Sequence, residues 1–263
     1  MSSQRRIALV AAIVVVGLTI GFAVTAAAAH RSRDAAAGVP QGRPGPVLLV
    51  PGYGGDGRAL GGLAARLRAA GRDAQVVTLP GGGTGDLREQ AKVLGTAAKA
   101  ALARSGAGSV DVIGYSAGGV VTRLWIRSYG GAALTRRVVT LGSPHHGTDL
   151  AGLASTLQTG ACPIACRQLA PDSDLLAALN TGDETPAGPR WVSLWSTSDQ
   201  VVTPPDSARL AGAVDIVLQD VCSGVRVQHD ELPTSPLVQA IVLAEIAATP
   251  VVTPGPADCG RLR

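Results

Sequence analysis

A serine between two glycines is the residue of this sequence best suited to nucleophilic chemistry. Residues 114–118 read Gly-Tyr-Ser-Ala-Gly, which is the pattern G-x-S-x-G with Ser116 at its centre. The pattern is informative only where a buried strand turns sharply into a helix, because that turn holds the serine hydroxyl exposed in a strained conformation. An apolar run precedes it and a helical pattern follows it, so the context fits. Gly114 and Gly118 leave the turn room, because a Cβ at either position would crowd the neighbouring backbone.

A serine nucleophile needs a base, and the base needs an acid that orients it. On a strand–turn–helix scaffold of this kind the chain order is serine, acid, histidine. Of the four histidines, only His229 lies beyond a strand that could carry the acid. We predict that Asp199 is that acid, because it follows a predicted strand and catalytic groups collect at the carboxyl ends of parallel strands. Other carboxylates remain candidates for the same role: Asp172, Asp206, Asp220 and Asp230.

Acyl transfer also requires hydrogen-bond donors for the oxyanion that develops during attack. The amide of Ala117, the residue after the serine, is one expected donor. The second donor should come from the loop after the first core strand, residues 51–55, which read Pro-Gly-Tyr-Gly-Gly. We predict the amide of Tyr53 there. The loop lacks both the G-K-[ST] ending and the G-x-G-x-x-G spacing of phosphate-binding loops.

The elements that must position these residues alternate between strand and helix. Short apolar runs predict six strands, at 46–52, 74–79, 109–114, 137–141, 191–196 and 214–221. Helical periodicity predicts five helices, at 58–70, 86–104, 117–129, 169–179 and 235–248. Continuously apolar strands alternating with helices indicate an α/β fold with a mainly parallel sheet covered on both faces. Residues 148–189 have the weakest pattern and are expected to form an insertion over one face.

The first 29 residues predict export from the cytoplasm. Residues 7–29 are almost uninterruptedly apolar, follow Arg5 and Arg6, and end in small residues. Two interpretations stay open: a cleaved signal peptide, which the small residues favour, and an uncleaved membrane anchor, for which about 20 apolar residues suffice. Residues 30–45, rich in Pro, Gly, Ala and Arg, predict a linker, and residues 46–263 a single catalytic domain. We therefore expect a secreted or extracytoplasmic protein, or one anchored by 7–29.

Charge argues against a nucleic-acid partner. The net charge is +4 among 263 residues, yet no run of Lys or Arg exceeds two residues and only 3% of residues are aromatic. Removing residues 1–29 would take away Arg5 and Arg6 and no acid, which would lower the net charge to +2. We expect a monomer, with membrane contact only through the N-terminal segment if that segment is retained.

The four cysteines all follow the export segment, so disulfides are expected. Three pairings are possible for four cysteines. We favour Cys162–Cys166, which would close a small loop, and Cys222–Cys259, which would hold the C-terminal tail. A zinc site made by all four is the alternative, but the spacings lack the C-x2-C pairs typical of such sites.

Taken together, the motifs resemble those of the small bacterial secreted triacylglycerol lipases and esterases of the α/β-hydrolase superfamily. The segments that carry the resemblance are V-P-G-Y-G-G (50–55), G-Y-S-A-G-G (114–119), L-G-S-P-H-H-G-T (141–148), S-T-S-D-Q-V-V-T-P (196–204) and H-D-E-L-P (229–233). The resemblance implies a minimal α/β-hydrolase fold and a Ser116–His229–Asp199 triad, with Tyr53 and Ala117 as oxyanion donors. It implies structural or pocket-lining roles for His145 and His146. Many relatives have His-Gly where this chain has Pro-Gly at 51–52.

The function implied by the resemblance is hydrolysis of carboxylic esters, as a lipase or esterase, through an acyl-enzyme intermediate. No calcium-site pattern of the family is matched, so neither a metal nor a cofactor is expected. The same triad would serve a polyester depolymerase, a phospholipase or a thioesterase. A different class of function is a catalytically inactive, anchored hydrolase fold that binds envelope lipid or polymer. The insertion at 148–189 is too short for a large cap domain, which predicts an open pocket for short to medium acyl chains, walled by aliphatics with Tyr53 and Trp125 as the nearby rings.

Overall fold

Six parallel strands form the centre of the molecule. The computed structural model describes residues 39–55, 57–149, 162–248 and 253–262. The strand order is β2-β1-β3-β4-β5-β6, and all five neighbouring pairs are parallel. The strands are β1 (Val47–Val50), β2 (Ala74–Val76), β3 (Val110–Tyr115), β4 (Thr135–Leu141), β5 (Arg190–Trp195) and β6 (Val214–Val217). The predicted fold class, with about six mainly parallel strands, is confirmed.

Alternation along the strands explains why helices cover both faces of the sheet. In β1, Leu48 and Val50 pack into one hydrophobic cluster, while Val47 and Leu49 pack into another. Successive strand side chains point to opposite faces, so a continuously apolar strand needs an apolar partner on each side. The eight α-helices of the described ranges are α1 (Gly61–Ala69), α2 (Leu87–Ser105), α3 (Ala117–Ser128), α4 (Ile164–Gln168), α5 (Asp174–Asn180), α6 (Leu218–Val221), α7 (Pro236–Glu245) and α8 (Cys259–Leu262).

The two clusters assign the helices to faces. Buried residues of α2, α3, α4 and α5 belong to the cluster that contains Leu48. Buried residues of α1, α7 and α8 belong to the cluster that contains Val47. The α2 helix, the longest described, starts where the Asp86 side chain accepts a hydrogen bond from the Arg88 amide, and it ends at Gly106, whose φ is 69°. These are the usual start and stop signals of a helix.

Two predicted elements differ from the structure, and a third lies partly outside the described residues. The helix expected at 169–179 is instead two helices, α4 and α5, because Pro171 cannot continue a helix and Ser173 caps a new one through the Leu176 amide. The strand expected at 214–221 ends at Val217, where the chain turns into the short α6. Within the insertion predicted at 148–189, residues 150–161 lie outside the described part of the chain.

The last residues of the predicted linker are fixed to the domain by hydrogen bonds. Gln41 donates to the carbonyl of Arg136 and accepts from the guanidinium of the same residue. Arg136 is fully buried and forms a two-pronged ion pair with the buried Asp111, which also receives a hydrogen bond from Arg72. The predicted export segment at 1–29, including the proposed anchor at 7–29, lies outside the described residues. None of the helices in the described ranges is both long and apolar enough to cross a membrane.

Both predicted disulfides are confirmed. Cys162 is bonded to Cys166, with a Cα–Cα distance of 5.3 Å, and Cys222 is bonded to Cys259, at 5.1 Å. The second bond joins the end of α6 to the start of α8, so it holds the C-terminal tail against the body of the domain. The pairings use all four sulfurs that the alternative zinc site would have required.

Candidate active site

Ser116 lies at the turn between β3 and α3, where the sequence pattern requires it. Strand β3 ends at Tyr115 and helix α3 begins at Ala117, which leaves Ser116 alone between them. Its φ is 54° and its ψ is −127°, and it is the only non-glycine residue with positive φ in the described part of the chain. Such a conformation costs about 1–3 kcal/mol and persists only where the surroundings enforce it. The strained residue is therefore the serine itself, at the carboxyl edge of the sheet.

Close backbone approaches around this turn explain its glycines. A Cβ on Gly118 would collide with the carbonyl oxygen of Val50, and a Cβ on Gly114 would lie 2.6 Å from the Cα of Gly119. A Cβ on Gly52, in the loop after β1, would lie 2.8 Å from the Cβ of Ser116. The loop after β1 and the serine turn are therefore in contact, which only glycine at these positions permits.

The predicted base and acid form a hydrogen-bonded pair. The His229 Nδ1 lies 2.7 Å from the Asp199 Oδ2, and the two side chains are almost fully buried. The other carboxylate oxygen of Asp199 accepts hydrogen bonds from the amides of Val201 and Val202, each at 2.9 Å. Because an ionised carboxylate only accepts hydrogen bonds, Nδ1 carries the proton and Nε2 keeps its lone pair. No hydrogen bond joins His229 to any of the four rival carboxylates in the described ranges: Asp172, Asp206, Asp220 and Asp230.

Gly142, which sequence analysis did not single out, makes room for this pair. The residue follows β4 directly and has a φ of +52°. A Cβ there would lie 3.0 Å from the Asp199 Oδ2, 3.4 Å from the His229 Nδ1 and 2.5 Å from a methyl carbon of Leu232. A glycine after an apolar strand is too common a signal to have predicted this contact, because the groups it would meet lie far along the chain.

Tyr115 is a second residue that sequence analysis missed. Its hydroxyl donates to the backbone carbonyl of His229 at 3.0 Å, and its ring centroid lies 5.1 Å from that of the imidazole. Burial, together with the nearby charges of Asp199 and Asp230, raises the pKa of the Tyr115 hydroxyl, so it stays protonated and remains a donor. The residue next to the serine therefore also holds the segment that carries the histidine.

Tyr53 and Ala117, the residues predicted to supply the oxyanion donors, lie in the loop after β1 and at the start of α3. As the first residue of α3, Ala117 has an amide with no partner within the helix. Neither its amide nor that of Tyr53 donates a hydrogen bond to another described residue. The Tyr53 hydroxyl is buried without a hydrogen-bond partner among the described groups, and burial raises the pKa of this phenol. Both amides are therefore without a hydrogen-bond acceptor among the described residues.

A cavity of about 210 Å³ opens onto Ser116 and His229. Its walls are mostly apolar or glycine, with Pro51, Ala59, Leu60 and Val201 among them, and Tyr53 and Tyr115 supply the rings. The expectation that Trp125 lies near the site is wrong. Its ring is buried in the core, and Cβ atoms at Gly95 and Gly131 would touch it, so it packs between α2 and the segment before β4.

The paired histidines after β4 do not line this cavity. His145 is fully buried, its Nε2 lies 3.1 Å from the hydroxyl of Thr140, and burial lowers its pKa well below the usual value. His146 is at the surface, where its Nε2 lies 3.0 Å from a carboxylate oxygen of Glu184. Their contacts are those of structural residues.

In the described residues no group of three or more His, Cys, Asp or Glu side chains is arranged to hold a metal ion. The arrangement that the structure does bring together is a strained serine and a histidine that line one cavity, with the histidine bonded to a buried carboxylate. Its chemical capacity is acyl transfer by way of a serine nucleophile.

Comparison with known proteins gives an independent line of evidence. The profile of the family described as "Lipase (class 2)" matches residues 99–232, about half of the chain. That range contains Ser116, Asp199 and His229. No curated protein sequence matches the chain.

Solved structures match the fold at low sequence identity. Aspergillus fumigatus lipase B superposes with a TM-score of 0.67 at 20% identity, covering 83% of this chain and 56% of that protein. Bacillus licheniformis lipase BlEst2 in its mature form gives a TM-score of 0.56 at 19% identity, covering 66% of this chain and 82% of the lipase. The chain therefore spans little more than half the length of the fungal lipase. The likeness confirms the predicted α/β-hydrolase fold.

Proposed function

The chain belongs to the class 2 lipase family, and from that premise we propose that it hydrolyses carboxylic esters with Ser116 as nucleophile, His229 as general base and Asp199 as orienting acid. The observation that carries the proposal is the 2.7 Å contact between His229 Nδ1 and Asp199 Oδ2, beside a cavity that Ser116 also lines. Membership of the lipase family supports lipolytic hydrolysis. The assignment of the three residues to catalytic roles is our proposal.

In the proposed reaction, His229 Nε2 removes the hydroxyl proton of Ser116 as the serine oxygen attacks the ester carbonyl carbon. The oxyanion of the tetrahedral intermediate accepts hydrogen bonds from the amides of Tyr53 and Ala117. The imidazolium then protonates the leaving alcohol, and an acyl-enzyme remains. Water attacks this ester with the same base, and the carboxylic acid is released.

Asp199 serves this cycle without itself accepting the proton. Its carboxylate fixes the Nδ1–H tautomer of the imidazole and stabilises the imidazolium once it forms. The two backbone amides that donate to its other oxygen hold the plane of the carboxylate. Gly142 leaves the space in which the pair can sit.

The proposal is tested by hydrolysis of p-nitrophenyl butyrate by the purified domain and by two variants. We expect Ser116→Ala to abolish turnover. We expect Asp199→Asn, which keeps the shape but not the charge, to lower kcat by about 10⁴-fold, as in triads generally. Asp172→Asn is the matched control, since Asp172 is exposed between α4 and α5. Wild-type turnover by Ser116→Ala would contradict the assignment.

Cavity size supports a preference for short to medium acyl chains. Its volume of about 210 Å³ lies below the ~300–1,000 Å³ typical of ligand pockets. In a series of p-nitrophenyl esters we expect the highest kcat/KM between butyrate and octanoate. A maximum at palmitate or stearate would contradict this part of the proposal.

Two disulfides support an extracytoplasmic location, because such bonds persist in oxidising compartments. Whether residues 1–29 act as a cleaved signal or an anchor stays a prediction from sequence.

A further inference from the structure

We propose that Asp230 makes this site selective for uncharged esters and disfavours substrates that carry a negative charge close to the scissile bond. The inference rests on the proposed function, because it concerns the same cavity. It adds a residue that sets the charge preference at this site, which the triad does not specify.

Among the described residues, the wall of the cavity includes one acidic residue, Asp230. The base His229 is the only other acidic or basic residue of that described wall. The remaining walls are aliphatic residues, glycines, two tyrosines and the serine. Of the described residues that line the cavity, Asp230 is therefore the one whose carboxylate can repel an anionic substrate.

No counter-ion neutralises this carboxylate within the described chain. Asp230 is exposed and takes part in none of the ion pairs that the described side chains form, whereas Asp199 is bonded to His229. The guanidinium that is close in sequence, Arg226, lines a separate cavity together with Gln228 and Asp199. Asp230 thus lines the substrate cavity without an ion-pair partner among the described side chains.

The influence of Asp230 reaches the reacting groups. Its charge contributes to raising the pKa of Tyr115, the residue that adjoins Ser116 and bonds to the His229 carbonyl. An anionic substituent a few bonds from the ester carbonyl would occupy the same region and would be repelled. Acyl glycerophosphates, with an anionic phosphate near the ester, belong to the disfavoured class, and neutral glycerides belong to the favoured one.

The size of the effect follows from Coulomb's law at a solvent-exposed site. Two unit charges about 8 Å apart, with an effective dielectric constant of about 40 to 80, change a rate constant by about two- to sixfold. Salt screens such an interaction, since the Debye length is about 10 Å at 0.1 M ionic strength. Discrimination against anionic esters should therefore be largest at low salt and should weaken as salt is added.

The same repulsion acts on the product. Every turnover leaves a carboxylate beside the histidine, and an adjacent negative charge weakens its binding. Butyrate should therefore inhibit the Asp230→Asn variant at lower concentration than it inhibits the wild type, by a similar two- to sixfold factor.

The test compares Asp230→Asn with wild type on matched neutral and anionic esters. The neutral substrate is p-nitrophenyl butyrate. One anionic probe is 3-carboxy-4-nitrophenyl butyrate, which charges the leaving group, and the other is the mono-p-nitrophenyl ester of adipic acid, which charges the acyl chain. The readout is the ratio of kcat/KM for an anionic ester to that for the neutral one, in which changes common to both substrates cancel.

We expect the ratio to rise two- to sixfold in Asp230→Asn at low salt for at least one anionic probe, and the difference to shrink in 0.5 M NaCl. The control Asp172→Asn removes an exposed carboxylate away from the cavity and should leave the ratio unchanged. Equal ratios in wild type and Asp230→Asn for both probes, with the neutral ester still hydrolysed, would overturn the role of Asp230 alone. Absence of hydrolysis of the neutral ester by wild type would instead overturn the proposed function.

Discussion

Replacing Gly142 with alanine should disable the site from a position that carries no reactive group. The added Cβ would lie 2.5 Å from a methyl carbon of Leu232 and 3.0 Å from the Asp199 Oδ2. Ordinary contacts between carbon atoms lie at about 3.5–4.0 Å, so roughly 1 Å of movement is needed. Leu232 is fully buried and cannot swing into solvent. The displacement must therefore be shared with the Asp199–His229 pair.

The expected magnitudes follow from that displacement. A misplacement of about 1 Å in a catalytic constellation can cost about 10²-fold in rate, so kcat should fall by about that factor. Stability should fall as well, by about 1–2 kcal/mol for alanine in a left-handed conformation and by about 1–3 kcal/mol for overpacking. Both effects arise at one residue, and a control must separate them.

Gly106→Ala is the matched control. Gly106 also has a positive φ, 69°, but a Cβ there would meet nothing within 4 Å. The Gly106→Ala variant should lose only the stability that alanine costs in a left-handed conformation, about 1–2 kcal/mol, and should keep the wild-type kcat. The assay is steady-state hydrolysis of p-nitrophenyl butyrate, well below the unfolding temperature, with urea unfolding of each variant. Wild-type kcat in a folded Gly142→Ala variant would refute the reasoning.

Other substitutions test separate contacts. Tyr115→Phe removes the hydrogen bond to the His229 carbonyl, which is worth about 0.5–1.5 kcal/mol. We therefore expect kcat to fall about two- to tenfold at unchanged KM. An unchanged kcat would contradict the positioning role of Tyr115. Burial lowers the pKa of His145, so below pH 6.5 the unfolded chain binds a proton that the native state does not. The free energy of unfolding should therefore fall by up to about 1.4 kcal/mol for each pH unit by which the pH is lowered. Urea unfolding at a series of pH values should give a smaller slope for His145→Gln than for the wild type. Replacing Cys222 and Cys259 with serine opens a loop of 37 residues and should lower the free energy of unfolding by about 2–4 kcal/mol; an unchanged urea midpoint would count against that estimate.

The elements of this fold could be predicted because each is encoded locally. An apolar run of four to seven residues between turn signals is enough to predict a buried strand, and all six predicted strands are present. The boundaries were less predictable, since they depend on caps such as Ser173, which starts a new helix inside a region predicted to be continuous. The hydrogen bonds between Gln41, near the end of the predicted linker, and the buried Arg136 could not be predicted, because composition does not reveal them.

The candidate site likewise contains some residues that could be predicted from the sequence and others that could not. Ser116, Asp199 and His229 could be singled out because chain order and strand ends restrict the choices. Gly142 and Tyr115 could not, since each acts through contacts with residues 57 to 114 positions away. Trp125 was placed wrongly because a helix near the serine has two faces, and sequence alone did not say which one meets the cavity.

The most direct test of the central claim is covalent labelling of the serine. A fluorophosphonate reacts with a serine hydroxyl only where a base activates it and an oxyanion site accepts the phosphoryl oxygen. We expect a single adduct per chain, mapped by mass spectrometry to the peptide that contains Ser116, absent from Ser116→Ala and formed more slowly in Asp199→Asn. No adduct on the folded wild-type protein, or an adduct on another serine that persists in Ser116→Ala, would contradict the account.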